Sequence, residues 1–107
     1  MLRAFGLILA AGLLPVAYAN DGAVESLREQ GLLEYDKGHY AAAVAHFQNA
    51  ADAGDARSAE ILSLMYRFGA QLYGDQVTAD ANKSAHYLAT ALDRRRVAAM
   101  NPASAGR

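Results

Sequence analysis

Two short patterns recur in this chain, and together they restrict it to a narrow class of folds. Tyr35-x-x-Gly38 returns as Tyr66-x-x-Gly69, an offset of 31 residues. Ala43-x-x-His46-Phe47-x-x-Ala50-Ala51 returns as Ser84-x-x-Tyr87-Leu88-x-x-Ala91-Leu92, an offset of 41. Recurrence on this scale marks stacked supersecondary units, each leaving an apolar face that only a neighbour buries. The offset of 41 exceeds that of 31 by ten residues, and the excess falls in the connection after Gly69. Lengthening a surface loop there adds little closure cost.

The patterns sit on four predicted helices. Asn20 or Asp21 caps a first helix to about Lys37, with Val24, Leu27, Gly31 and Tyr35 at three- and four-residue spacing. Gly38 and His39 make a short break. A second helix over about 40–53 is rich in alanine, the best helix former and small enough to let helices approach closely. Gly54 suits the left-handed closing residue, and Asp55 caps the third helix, about 56–68, which carries Ile61, Leu62, Leu64, Met65 and Tyr66. A longer connection over 69–79 leads to Asp80, the cap of a fourth helix over about 81–95 with Ala85, Leu88, Ala91 and Leu92 on one stripe. Nothing after residue 19 alternates with a strand-like period, so the fold class is all-α.

These residues resemble the Sel1-like repeat family, a relative of the tetratricopeptide repeats. Leu62-Ser63-Leu64-Met65-Tyr66-Arg67-Phe68-Gly69 looks like the family's L-G-x-M-Y-x-x-G segment, with Ser63 in place of the small glycine. Val77-Thr78-Ala79-Asp80 is similar to its V-x-x-D turn, and Ala50-Ala51-Asp52-Ala53-Gly54 to its A-A-x-x-G boundary. The first unit, Gly38-x-Tyr40-x-x-Ala43-x-x-x-Phe47-x-x-Ala50, looks more like a plain tetratricopeptide repeat. Five residues are extra between Gly69 and Asp80, and the first helix lacks the Leu-Gly pair, which leaves its register open by one residue. The resemblance implies two antiparallel helical hairpins stacked as a short α-solenoid over 20–97; past Val97 nothing is periodic, so 98–107 reads as a flexible tail. The resemblance also implies a concave groove lined by the first helix of each unit. Matched position by position, that groove takes Arg28, Leu32 and Tyr35 from the first unit and Ala59, Ser63 and Tyr66 from the second. Both tyrosines equally fit packing between helices, and that alternative stays open. The small residues Ala43, Ala50, Ser58, Ser84 and Ala91 fall where helices cross, and Tyr40, Phe47, Leu62, Tyr87 and Leu88 fill the space between. Two units are fewer than the about three that a stable stack usually needs, so a protein partner or self-association is expected.

The chain's first nineteen residues read differently. Arg3 precedes an uncharged apolar run over 4–14, Pro15 breaks it, and Ala17-Tyr18-Ala19 supplies small residues at a cleavage site. This is the layout of a secretory signal peptide. The run is short for a bilayer span, which needs about 20 apolar residues. Cleavage after Ala19 and a periplasmic or secreted location follow as expectations, with no membrane anchor retained. The chain has no cysteine, hence neither a disulfide nor a lipid-modified thiol. Losing Arg3 with the leader takes ten basic side chains to nine, against eleven acidic ones. That balance argues against nucleic acid, whose phosphates call for a basic surface. Late in the chain the sign reverses locally, with Arg94, Arg95 and Arg96 in a row. The run reads as cations offsetting a helix C-terminus, or as a docking patch for an anionic partner.

Catalytic, cofactor and metal residues are not expected. His39, His46 and His86 accompany no H-E-x-x-H or acidic metal loop, and His46 stands where the second unit has Tyr87, an aromatic packing place. No serine sits in a G-x-S-x-G elbow, and the glycines are too scattered to cradle phosphate. The reading is a non-enzymatic protein–protein interaction module, a scaffold or adaptor in the bacterial periplasm. Two alternatives remain: a small inhibitor or immunity-type protein binding one enzyme, and a metal or ligand binder using the three histidines.

Overall fold

The computed structural model describes residues 21–100; the expected leader, its cleavage point and the chain beyond Met100 lie outside the described residues. All regular structure among the described residues is helical. The elements are α1 (Asp21–Asp36), α2 (Tyr40–Asp52), α3 (Ala56–Phe68), the single turn α4 (Ala70–Tyr73) with a 3₁₀ turn (Gly74–Gln76), and α5 (Ala81–Met100). Adjacent helices pair: α1 packs on α2, α2 on α3, and α3 most extensively on α5.

The helix ends follow from local chemistry. After α1 the Gly38 N–H donates to the Tyr35 carbonyl (3.0 Å) and the His39 N–H to the Glu34 carbonyl (2.9 Å), with Gly38 at φ 81°. After α2 the same closure recurs: Gly54 donates to Ala51 (3.0 Å) and Asp55 to Ala50 (3.0 Å), with Gly54 at φ 109°. These paired bonds satisfy orphan carbonyls and need a left-handed residue, which glycine supplies without a Cβ penalty. Asp55 then caps α3, its Oδ2 accepting from the Ser58 N–H (3.0 Å) and hydroxyl (2.6 Å). Asp80 caps α5 by accepting from the Lys83 N–H at 3.0 Å.

The core forms where small residues let large ones in. Phe47, Leu62 and Met65 are fully buried, with Ala43, Ala50, Ala59 and Ala91 at the crossings. Each large side chain stabilises the fold by about 1.5–3 kcal/mol. Phe47 fits because α1 presents Gly31 to it: a Cβ there would lie 2.6 Å from the ring. Ser63 holds the corresponding crossing of α3, its carbonyl accepting from the Ser84 hydroxyl at 2.8 Å. Leu88, expected inside at the place of Phe47, is instead 47% exposed.

Two boundaries also move. The connection 69–79 is not a plain loop: α4 and the 3₁₀ turn fill most of it, and Tyr73 and Val77 are buried. The last helix runs to Met100, so 98–100, expected in the flexible tail, is helical. Arg94, Arg95 and Arg96 therefore lie before the last turn, which carries no basic residue.

Candidate protein-binding groove

The inserted segment after α3 folds back onto the first helix pair. Tyr73 reaches Tyr35 and Tyr40, the three rings meeting edge to face with centroids 4.8–5.7 Å apart. The Tyr73 and Tyr35 hydroxyls are 2.9 Å apart. Burial first, then the Tyr35 hydroxyl, pushes the Tyr73 phenol well above its ordinary range, so it stays protonated. Three residues on, Gln76 clamps the turn between α1 and α2: its Nε2 donates to the Gly38 carbonyl (2.8 Å) and its Oε1 accepts from the Ala41 N–H (3.2 Å). His39, at the N-cap of α2, makes no side-chain cap bond. Gln76 supplies that cap from 35 residues away.

This fold-back leaves an apolar hollow of about 190 Å³ between α1 and α3, lined by Leu32, Tyr35, Ile61, Leu64 and Tyr73. Leu32 is 40% exposed and Leu64 50%. Leu64 is also a wall of a second hollow of about 310 Å³, with Glu60, Ser63, Arg67, Ser84 and Leu88 around it. Leu64 thus borders both hollows. The first hollow is open and small beside the about 300–1,000 Å³ of small-molecule sites. Its floor and walls suit one or two inserted apolar side chains better than an enclosed ligand.

Of the six residues expected to line a groove, Leu32 and Tyr35 line the first hollow and Ser63 borders the second. Arg28 is drawn away, its Nη1 lying 2.6 Å from Asp55 Oδ1, where it braces the cap of α3. Ala59, Ser63 and Tyr66 are buried. Tyr66 stacks on Tyr87 with ring planes 7° apart, accepts from the Gln48 amide at 3.1 Å, and has Lys83 over its ring. The physical reason is position: α3 is covered by α2 on one side and α5 on the other, so most of its surface is interior. Ile61, Leu64 and Tyr73 take the vacated places. Ile61 and Leu64 were legible as an apolar surplus on α3 beyond one stripe; Tyr73, inside the connection, had no periodic signal.

The histidines stay apart in role. His39 Nδ1 bonds Glu34 Oε1 at 2.8 Å, lowering that carboxyl's pKa, and His86 sits edge-on to Tyr87. His46 is half-buried on α2. Among the described residues no group of three or more His, Cys, Asp or Glu is placed to hold a metal ion, and no helix is long and apolar enough to cross a membrane. No protein family, curated protein or solved structure matches the chain.

Proposed function

We propose that this chain is a non-enzymatic protein-binding module of the Sel1-like and tetratricopeptide type, a scaffold or adaptor acting in the periplasm. Its α1–α2 and α3–α5 pairs are then two stacked hairpins, and the groove between α1 and α3 is the working surface. One observation carries the reading: Leu32, Ile61 and Leu64 form an apolar hollow at the surface, while Tyr35 and Tyr73 fix its shape. A rigid apolar groove matches a helix or extended segment presenting anchors at regular spacing, and rigid aromatic walls lose little entropy on binding. Export rests on the leader pattern of 1–19.

The test is affinity capture from the envelope fraction with the native chain and with Leu32→Asp/Leu64→Asp. Both leucines are exposed, so the variant keeps its core. The reading predicts proteins retained by the native chain and lost with the variant; identical capture by both contradicts it. A structural assembly among those proteins marks an adaptor, and a single enzyme marks an inhibitor.

A further inference from the structure

A separate hollow of about 340 Å³ is built by four parts of the chain: α2, α3, the segment 76–80 and the first turn of α5. It shares no lining residue with either hollow beside Leu64. Its volume falls at the lower end of the about 300–1,000 Å³ typical of small-molecule sites. Its walls are held by backbone contacts. The Asp80 N–H donates to the Tyr66 carbonyl at 2.9 Å, which pins the start of α5 beside the end of α3. Gly69 leaves room for this, since a Cβ there would overlap the Ala79 backbone. At the other edge, Gln76 is fixed by its two bonds to the turn between α1 and α2.

Two opposite charges line this cavity, Asp80 and Lys83. They form no ion pair with each other or with any other described residue. Asp80 is half-buried; its Oδ1 accepts from the Lys83 N–H at 3.0 Å, which leaves Oδ2 for another donor. The Lys83 ammonium lies 5.2 Å from the centroid of the Tyr66 ring, a cation–π contact that holds it at the cavity. Burial first, then the Asp80 carboxylate, raises the Tyr66 phenol above its ordinary value, so the ring beneath the ammonium stays neutral. Beside the charges the wall is aliphatic, with Val77 buried and Val44 half-buried.

We propose that this cavity binds a small zwitterion, a free α-amino acid with an aliphatic side chain. Asp80 accepts from its ammonium, Lys83 donates to its carboxylate, and Val44 and Val77 cover its side chain. Each charge of the ligand then meets the counter-charge that the chain itself does not supply, and charge-assisted bonds of this kind are the strong ones. Because the cavity and the groove have no residue in common, the two readings stand or fall separately.

Titrating the isotopically labelled native chain with L-leucine, N-acetyl-L-leucine and L-leucinamide, followed by amide NMR shifts, tests this. L-Leucine is expected to shift the amides of 77–84 saturably. N-Acetyl-L-leucine lacks the ammonium and binds about ten-fold more weakly. L-Leucinamide lacks the carboxylate; its partner Lys83 is exposed, so the loss is about three-fold. Asp80→Asn keeps a helix cap, weakens L-leucine about ten-fold and does not weaken N-acetyl-L-leucine. Lys83→Gln weakens L-leucine about three-fold and does not weaken L-leucinamide. Circular dichroism confirms that both variants are folded. No saturable shift with L-leucine, equal binding of all three compounds, or variants that weaken every compound alike would overturn the proposal.

Discussion

The phenol oxygens of Tyr35 and Tyr73 lie 2.9 Å apart, joining α1 to the segment inserted after α3 across 38 residues of sequence. Around this bond the rings of Tyr35, Tyr40 and Tyr73 meet edge to face, and Tyr35 and Tyr73 line the hollow between α1 and α3. The inserted segment thereby does for the first helix pair some of the covering that another repeat would do.

Removing one hydroxyl leaves its partner short of a bond in a largely dry site. Tyr35→Phe is expected to cost about 1–3 kcal/mol, the penalty of stranding a buried polar group. Tyr35→Phe/Tyr73→Phe should cost no more than the worse single change, because both polar groups are gone. Urea unfolding of the four proteins gives the coupling directly; strictly additive losses would show that the hydroxyls act separately.

Gln76 is exposed, yet it satisfies a backbone donor and a backbone acceptor at the turn between α1 and α2. Gln76→Ala is expected to destabilise by about 0.5–2 kcal/mol, the usual worth of a helix cap. Amide exchange at Ala41 should quicken more than exchange in α3. Uniform quickening along the chain would mean that Gln76 has no local role.

At Gly31 two effects oppose each other. Alanine gains about 1 kcal/mol in helix propensity over glycine. Its Cβ, however, would lie 2.6 Å from the fully buried Phe47 ring, and overpacking of this kind costs about 1–3 kcal/mol. The clash should win, so Gly31→Ala lowers the melting temperature, and Phe47→Leu in that background recovers part of the loss. A Gly31→Ala protein more stable than the native one would contradict the close contact.

Alkaline pH should loosen the same region. Burial and the Tyr35 hydroxyl raise the Tyr73 pKa above the ordinary value of 10.0, and burial raises those of Tyr66 and Tyr87. Above about pH 10 the unfolded chain releases these protons while the folded chain keeps them, so the unfolded state binds fewer protons and stability falls. It is fully present below pH 10 and is lost as pH climbs toward the folded-state values. Melting temperatures across pH 8–11.5 check this, and Tyr73→Phe should flatten the decline.

Turn chemistry was the most legible part of this chain. Gly38, Gly54, Asp55 and Asp80 each act on backbone groups within five residues, so local sequence suffices to place them. The pairing of Tyr73 and Gln76 with the first turn spans 35 residues or more, and no periodicity announces such a contact. The lining of the hollow was partly legible for a related reason. Matching positions assumes equal surroundings for each first helix, but α1 is covered by one long helix and α3 by two. Ala59, Ser63 and Tyr66 went inside as a result, while Leu32 and Tyr35 kept their place at the surface.

On the proposed function, the Leu32–Leu64 hollow holds another protein. Placing a photo-crosslinking residue at Leu64, and separately at exposed Asn49 on α2, tests it in the cells that make the protein. A discrete crosslinked product of higher mass is expected from position 64 and none from position 49. No product from position 64, or the same products from both, would contradict it.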